Sequence, residues 1–120
     1  MNTLSISLLV SLSLLPCQEA KEKKKARSPA LQFKGASSEV YKEASKTKLL
    51  LHIFKPAGHK AADRRPAIVF FFGGGWNGGS PAQFEPHARY LASRGMVALL
   101  ADYRVKSRQG TSPFECVKDG

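Results

Sequence analysis

Ala67-Ile68-Val69-Phe70-Phe71-Phe72-Gly73-Gly74-Gly75-Trp76-Asn77-Gly78-Gly79-Ser80-Pro81 is the stretch on which the fold of this chain turns. Its first six residues are apolar without interruption, the pattern of a strand covered on both faces rather than one with a wet side. The glycines that follow end the strand and open a loop. Phe84 to Arg94 then reads as a helix, with Phe84, Ala88, Leu91 and Ala92 on one face and Gly95 as the stop. Met96 to Ala101 is a second buried strand, closing on Asp102-Tyr103-Arg104. A strand, a helix and a strand in this order predict a right-handed parallel crossover. The glycine loop then lies at the carboxyl end of its strand, where open α/β sheets hold their ligands.

Upstream, Val40 and Tyr41 begin a short strand, and Leu49, Leu50, Leu51, Ile53 and Phe54 make another. Their closeness predicts an antiparallel pair joined through Glu43-Ala44-Ser45. Pro56 to Pro66 is a polar loop with turn residues. Downstream, Lys106 to Ser112 reads as loop, and Pro113 to Val117 starts a further helix. The order is β-β-β-α-β-(α), an α/β class with a mostly parallel sheet expected after the amino-terminal antiparallel pair, without an internal repeat.

Composition bounds the answer. The chain has 120 residues, 42% hydrophobic and 23% charged, which excludes a fully disordered chain and limits it to one domain at most. With 19 Lys+Arg against 9 Asp+Glu, the formal charge is +10. Much of that sits in Lys21, Lys23, Lys24, Lys25 and Arg27, where no aromatic residue is interleaved to stack on bases. This run reads as a solvated tail, not a nucleic-acid site. Cys17 and Cys116 form neither a disulfide framework nor a zinc spacing, and His52 and His59 suggest no metal cluster, so no metal is expected; no cofactor is expected either.

Met1 to Ala20 reads as an export signal removed after Ala20. The apolar stretch Leu4 to Leu15 is too short to span a bilayer, so stable membrane insertion is not expected. The segment lacks a basic residue before its apolar stretch, and Pro16 beside Cys17 disfavours a lipoprotein. Localisation is therefore expected to be secreted or periplasmic. Residues 21–38 read as a basic flexible linker, and 39–120 as the patterned domain.

The glycine loop admits two chemistries. Gly73-Gly74-Gly75-Trp76-Asn77-Gly78 satisfies G-x-G-x-x-G, and Asp102 ends the next strand where a dinucleotide's ribose would want an acid. That fingerprint requires a helix to start within the glycines, however, whereas Gly79, Ser80 and Pro81 intervene and Trp76 crowds the phosphate path. The second chemistry is an oxyanion hole. Consecutive glycines let the main chain turn so that backbone N–H groups face a developing negative oxygen.

Phe70 to Trp76, Gly79-Ser80-Pro81, Gly95-Met96-Val97-Ala98 and Asp102-Tyr103-Arg104 together resemble the amino-terminal part of an α/β-hydrolase. The branch they look like is that of secreted esterases and lipases of the hormone-sensitive-lipase and feruloyl- or acetyl-xylan-esterase type. The resemblance runs from Glu39 to Gly120. It implies a partial α/β-hydrolase fold, a carboxylic-ester hydrolase parent with a small ester or acylated-carbohydrate substrate, and an oxyanion hole at Gly74, Gly75 and Trp76.

Two departures qualify it. Phe72 stands where that family usually has His, which removes a polar anchor from the loop. The G-x-S-x-G nucleophile elbow occurs nowhere in these residues, and neither do the acid and the His that complete the triad. The chain alone is expected to be inactive, and a sequence ending inside a predicted helix favours truncation. Nothing in the spacing of Ser80, His87 and Asp102 forces them together as a substitute triad. Ser80 suits a helix cap, and Asp102 suits a tie to its own loop through Arg104 or a backbone amide. Trp76 fits either a substrate-facing wall or packing for the loop. A small sheet with unpartnered apolar strands also predicts self-association through its edges. Outside this family, the residues leave one non-enzymatic alternative, an exported basic module binding anionic polymers through Lys21 to Arg27.

Overall fold

The computed structural model describes residues 31–120. The export segment, Cys17 and the basic run Lys21 to Arg27 lie outside them. Within the described residues, strands β1 (Ser37–Ala44), β2 (Thr47–Phe54), β3 (Ala67–Phe71) and β4 (Val97–Ala101) form one sheet in the order β1-β2-β4-β3. Helix α1 (Glu85–Ser93) crosses from β3 to β4, preceded by a 3₁₀ turn at Pro81–Phe84; α2 (Lys106–Gln109) and α3 (Pro113–Asp119) follow β4. β3 and β4 are parallel, as a crossover requires, and the remaining pairings are antiparallel.

The β1–β2 hairpin turns at Ser45 and Lys46, both at positive φ (46° and 64°), the signs of a type I′ turn. Two non-glycine residues hold those angles without the usual Asn-Gly, so the turn falls slightly later than the composition suggested. A bulge follows in β1: the register shifts between Val40 and Lys42, leaving Tyr41 as the extra residue. Ahead of β1, Phe33 is buried against Phe54 (centroids 5.8 Å) and edge-on to His52 (4.8 Å).

Helix α1 packs on one sheet face. Its buried Ala88 and Ala92 meet Phe54, Ala98 and Leu100, with Ile68, Phe70, Phe84 and Leu91 around them, which is the helical face read from the sequence. Small residues on the helix let it sit close to the sheet. The helix ends at Gly95 (φ 94°): the Gly95 and Met96 amides donate to Ala92 and Leu91, the two bonds of a Schellman cap. Buried His52 shares this face and takes part in a hydrogen bond with Ser38 Oγ through Nδ1 (2.8 Å). Burial outweighs the nearby Asp102 charge and holds the imidazole below its usual pKa.

The opposite face differs from expectation. Exposure alternates along β3, and Val69 and Phe71 are 46% and 49% exposed. Among the described residues β3 is covered on one face only and forms an edge of the sheet.

Candidate functional site

The loop Gly73 to Ser80 leaves the carboxyl end of β3 and is built by close backbone approach. A Cβ on Gly74 (φ 146°) would stand 2.2 Å from the Gly78 carbonyl oxygen, and one on Gly79 (φ 106°) would stand 2.5 Å from the Gly73 oxygen. Neither position accepts a side chain at that distance, which is the physical reason for glycine there.

The loop's carbonyls are tied inward. Gly74 O accepts from the amides of Asn77 (3.1 Å) and Gly78 (3.4 Å), and Trp76 O accepts from the Lys106 amide (3.0 Å). Asn77 O accepts from Ser107 (2.9 Å), so α2, a single turn where loop was expected, fastens the far side. All peptides here are trans, so an amide N–H points opposite the carbonyl of the preceding residue. With Gly74 O turned into the loop and Gly73 O facing Gly79, the N–H groups of Gly75 and Gly74 point away from the loop interior. Among the described residues, the consecutive amides of Gly74, Gly75 and Trp76 find no acceptor, nor does that of Gly79, whereas those of Gly73, Asn77 and Gly78 do.

Trp76 adopts a left-handed conformation (φ 60°), rare for a bulky residue and costing about 1–2 kcal/mol. Its side chain is 47% exposed and, with Phe71, Tyr103, Cys116, Val117 and Gly120, lines an open, mostly apolar cavity of about 280 Å³.

Around the loop, the Asp-Tyr-Arg residues divide their work. Asp102 pairs with Arg108 (2.8 and 3.2 Å), so the tie to its own loop runs through Arg108 and not Arg104. Arg104 instead reaches Asp119 on α3. Its guanidinium spans both carboxylate oxygens (2.8 and 2.9 Å), and its amide donates as well (3.1 Å). Burial pushes the Asp119 carboxyl up, but the Arg104 hydrogen bonds and charge outweigh it and hold the carboxyl below its usual pKa. Bulged Tyr41 donates to the carbonyls of Asp102 (2.6 Å) and Asp119 (3.1 Å), which joins β1 to the same cluster. Burial first, then the charges of Asp119 and Asp102, push its hydroxyl up to about 12.

Phe72, which stands where a polar anchor was expected, is buried. Its ring stacks on Tyr103 (4.1 Å, 11° between planes), with the Arg108 guanidinium 5.6 Å from its centroid. The loop's polar anchor comes from elsewhere, since Gln83 Oε1 accepts from the Gly73 amide at 2.6 Å. Sequence reading did not single out Gln83. An exposed glutamine in a short turn carries no signal until its neighbour across the fold is known.

Ser80 stands at the N-cap of the 3₁₀ turn but offers its backbone carbonyl, to Gln83, and no side-chain bond. His87 is exposed and lies edge-on to Phe84 (5.6 Å). No hydrogen bond among the described residues joins Ser80, His87 and Asp102, so they form no substitute triad. The dinucleotide reading also finds no support, because α1 starts at Glu85, beyond the 3₁₀ turn, and Asp102 is already paired.

No family model matches the sequence. A thermophilic esterase from the Planctomycetes species Thermogutta terrifontis, Est2, is 58% identical, with a TM-score of 0.69 over 72% of this chain and 31% of its own. The apo form of Thermogutta terrifontis esterase 2 is 56% identical, with a TM-score of 0.71 over 78% of this chain and 34% of its own. A neuroligin-like protein of Caenorhabditis elegans, glit-1, is 45% identical over 58 residues, 48% of this chain and 8% of that protein. The chain thus spans about a third of the esterase structures it matches. Over that span it has a partial α/β-hydrolase fold of the esterase type.

Proposed function

We propose that this part of an esterase-type α/β hydrolase supplies the oxyanion hole for hydrolysis of a carboxylic ester. The observation that carries the reading is the set of three consecutive amides, Gly74, Gly75 and Trp76, left without acceptors in a loop that the Gly74, Trp76 and Asn77 carbonyls fasten in place. In such a reaction a serine hydroxyl gives its proton to a base as its oxygen adds to the acyl carbon, and the carbonyl π pair moves onto oxygen. The amides donate to that oxyanion, whose collapse breaks the ester C–O bond and expels the alcohol with the proton returned by the base. Water, deprotonated by the same base, then releases the acid from the acyl-enzyme, and the serine takes the proton back. The amides cost nothing to reorganise, because the loop holds them in place before substrate arrives.

No G-x-S-x-G elbow occurs in these 120 residues, so the serine of this scheme is not among them and the chain by itself turns over no ester. The apolar wall of Phe71, Trp76 and Tyr103 suits the hydrocarbon part of a small ester. A Thermogutta terrifontis esterase structure is described as butyrate bound, which makes a butyrate ester the natural first substrate to try. Met1 to Ala20 directs export, and the amino terminus of the mature protein is Lys21. Amino-terminal sequencing of the exported protein checks this.

The test of function is a chimera in which residues 31–120 replace the aligned part of that thermophilic esterase. A folded chimera hydrolyses p-nitrophenyl butyrate, and the 120-residue chain does not. A chimera that melts cooperatively yet leaves the ester untouched refutes the reading.

A further inference from the structure

One peptide of the glycine loop is gripped at both ends by side chains. The Phe72 carbonyl accepts from the buried Tyr103 hydroxyl, and the N–H of the same peptide group, that of Gly73, donates to Gln83 Oε1 at 2.6 Å. The two side chains come from opposite flanks, Gln83 from the 3₁₀ turn before α1 and Tyr103 from the residues after β4. Among the described residues no other peptide of Gly73 to Gly79 is held this way. Stacking of the Phe72 and Tyr103 rings seats the hydroxyl, and burial, with the Cys116 and Asp102 charges outweighing Arg108, raises its pKa and keeps it a donor.

We infer that Gln83 and Tyr103 are positioning residues that clamp the Phe72–Gly73 peptide and thereby aim the Gly74 and Gly75 amides. The next residues are glycines, whose free backbone torsions would by themselves let the following amides turn. The Gly74 carbonyl is fixed by the Asn77 and Gly78 amides, so the clamp on the Phe72–Gly73 peptide holds the other end of the short segment that carries the Gly74 and Gly75 amides. The clamp itself is a property of this chain, while its catalytic consequence rests on the oxyanion reading above.

The test begins with the full ¹⁵N-labelled 120-residue chain and amide hydrogen exchange. Gln83 is exposed, so Gln83→Leu removes the acceptor without opening the core, and Gln83→Glu keeps it. Exchange of the Gly73 amide rises about tenfold in Gln83→Leu, as losing one hydrogen bond predicts. The Gly74, Gly75 and Trp76 resonances shift, the β1–β2 amides stay as they were, and Gln83→Glu restores protection. Tyr103→Phe, which loses the other grip, moves the same loop resonances. In the chimera, Gln83→Leu lowers kcat about tenfold with KM little changed, less than the roughly 10²–10³-fold cost of losing a donor outright.

Unchanged Gly73 exchange in Gln83→Leu overturns the clamp. A change spread over the β1–β2 amides overturns it too, as a general loosening of the fold. Faster Gly73 exchange with an unaltered kcat overturns the positioning role. An inert wild-type chimera with a protected Gly73 amide refutes the ester reading and its catalytic consequence, and leaves the clamp established.

Discussion

Two faces of one sheet meet very different surroundings. Beneath α1, Ala98 and Leu100 are completely buried and share a core with Phe54, Ala88 and Ala92. On the other face Val69 and Phe71, from a strand just as apolar, remain about half exposed. The six apolar residues from Ala67 to Phe72 therefore have no single fate. Period 2 sends alternate side chains to opposite faces, and what covers each face is decided by other elements. The carboxyl end of the sheet lies between these extremes, where buried polar bonds take over from apolar packing.

The sharpest way to break this contrast is Leu100→Ala. Removing a side chain from the closed face leaves a cavity and costs about 3 kcal/mol, within the usual ~2–5 range for such truncations. Urea or thermal unfolding of the chain reads this directly. A loss below about 1 kcal/mol would mean that the α1 face is not the stable one.

Next comes Asp119→Asn, which removes the bidentate partner of buried Arg104 and leaves it Glu115 at 3.8 Å and the Ser45 hydroxyl at 3.2 Å. The cost is about 3 kcal/mol, the low end for breaking a covered pair. Because the Asp119 pKa is lowered on folding, its contribution is present above the ordinary carboxylate pKa of 3.8 and is lost as pH falls below it. The wild-type chain should therefore lose stability below about pH 4 by a step that Asp119→Asn lacks. Unfolding midpoints followed from pH 6 to pH 2 compare the two.

Tyr41→Phe is milder, removing a hydroxyl that bridges Asp102 and Asp119, at about 1–2 kcal/mol. The Tyr41 hydroxyl is raised from 10.0 to about 12, so its contribution is whole below pH 10 and drains away as pH rises toward 12. Alkaline unfolding should flatten across that window in the variant. An identical alkaline profile for the two chains removes Tyr41 from the cluster.

The smallest effect belongs to Val69→Thr on the open face. It costs under about 0.5 kcal/mol, because the side chain already meets solvent. Its comparison with Leu100→Ala, measured in the same buffer, is the direct test of the two faces.

Several elements were legible before any coordinates. The crossover from β3 through α1 to β4, the buried stripe of Ala88 and Ala92, the stop at Gly95 and the antiparallel start all follow from periods and breakers within a dozen residues of one another. The glycine loop could be recognised as a backbone-built site for the same reason. The hairpin turn falls later than composition predicts because Ser45 and Lys46 adopt left-handed angles that their side chains do not advertise. The one-sided coverage of β3 departs from the pattern because an unbroken apolar run does not reveal how many faces have partners.

Hydrogen-bond partners across the fold were the part beyond reach. Asp102 could be expected to tie down its loop, yet the choice of Arg108 over Arg104 depends on where the chain turns after β4. Gln83 and Tyr103 stand ten residues after Gly73 and 31 after Phe72. Only the packing of the 3₁₀ turn and the β4 exit around β3 brings them to one peptide. Local order is written in short-range periodicity and in residues that permit or forbid particular backbone angles, so the sequence by itself determined the strands, the helix and the glycine loop. The grip on the Phe72–Gly73 peptide, the Arg104–Asp119 pair and the closed and open faces were decided by tertiary structure, because each joins groups that no local pattern relates.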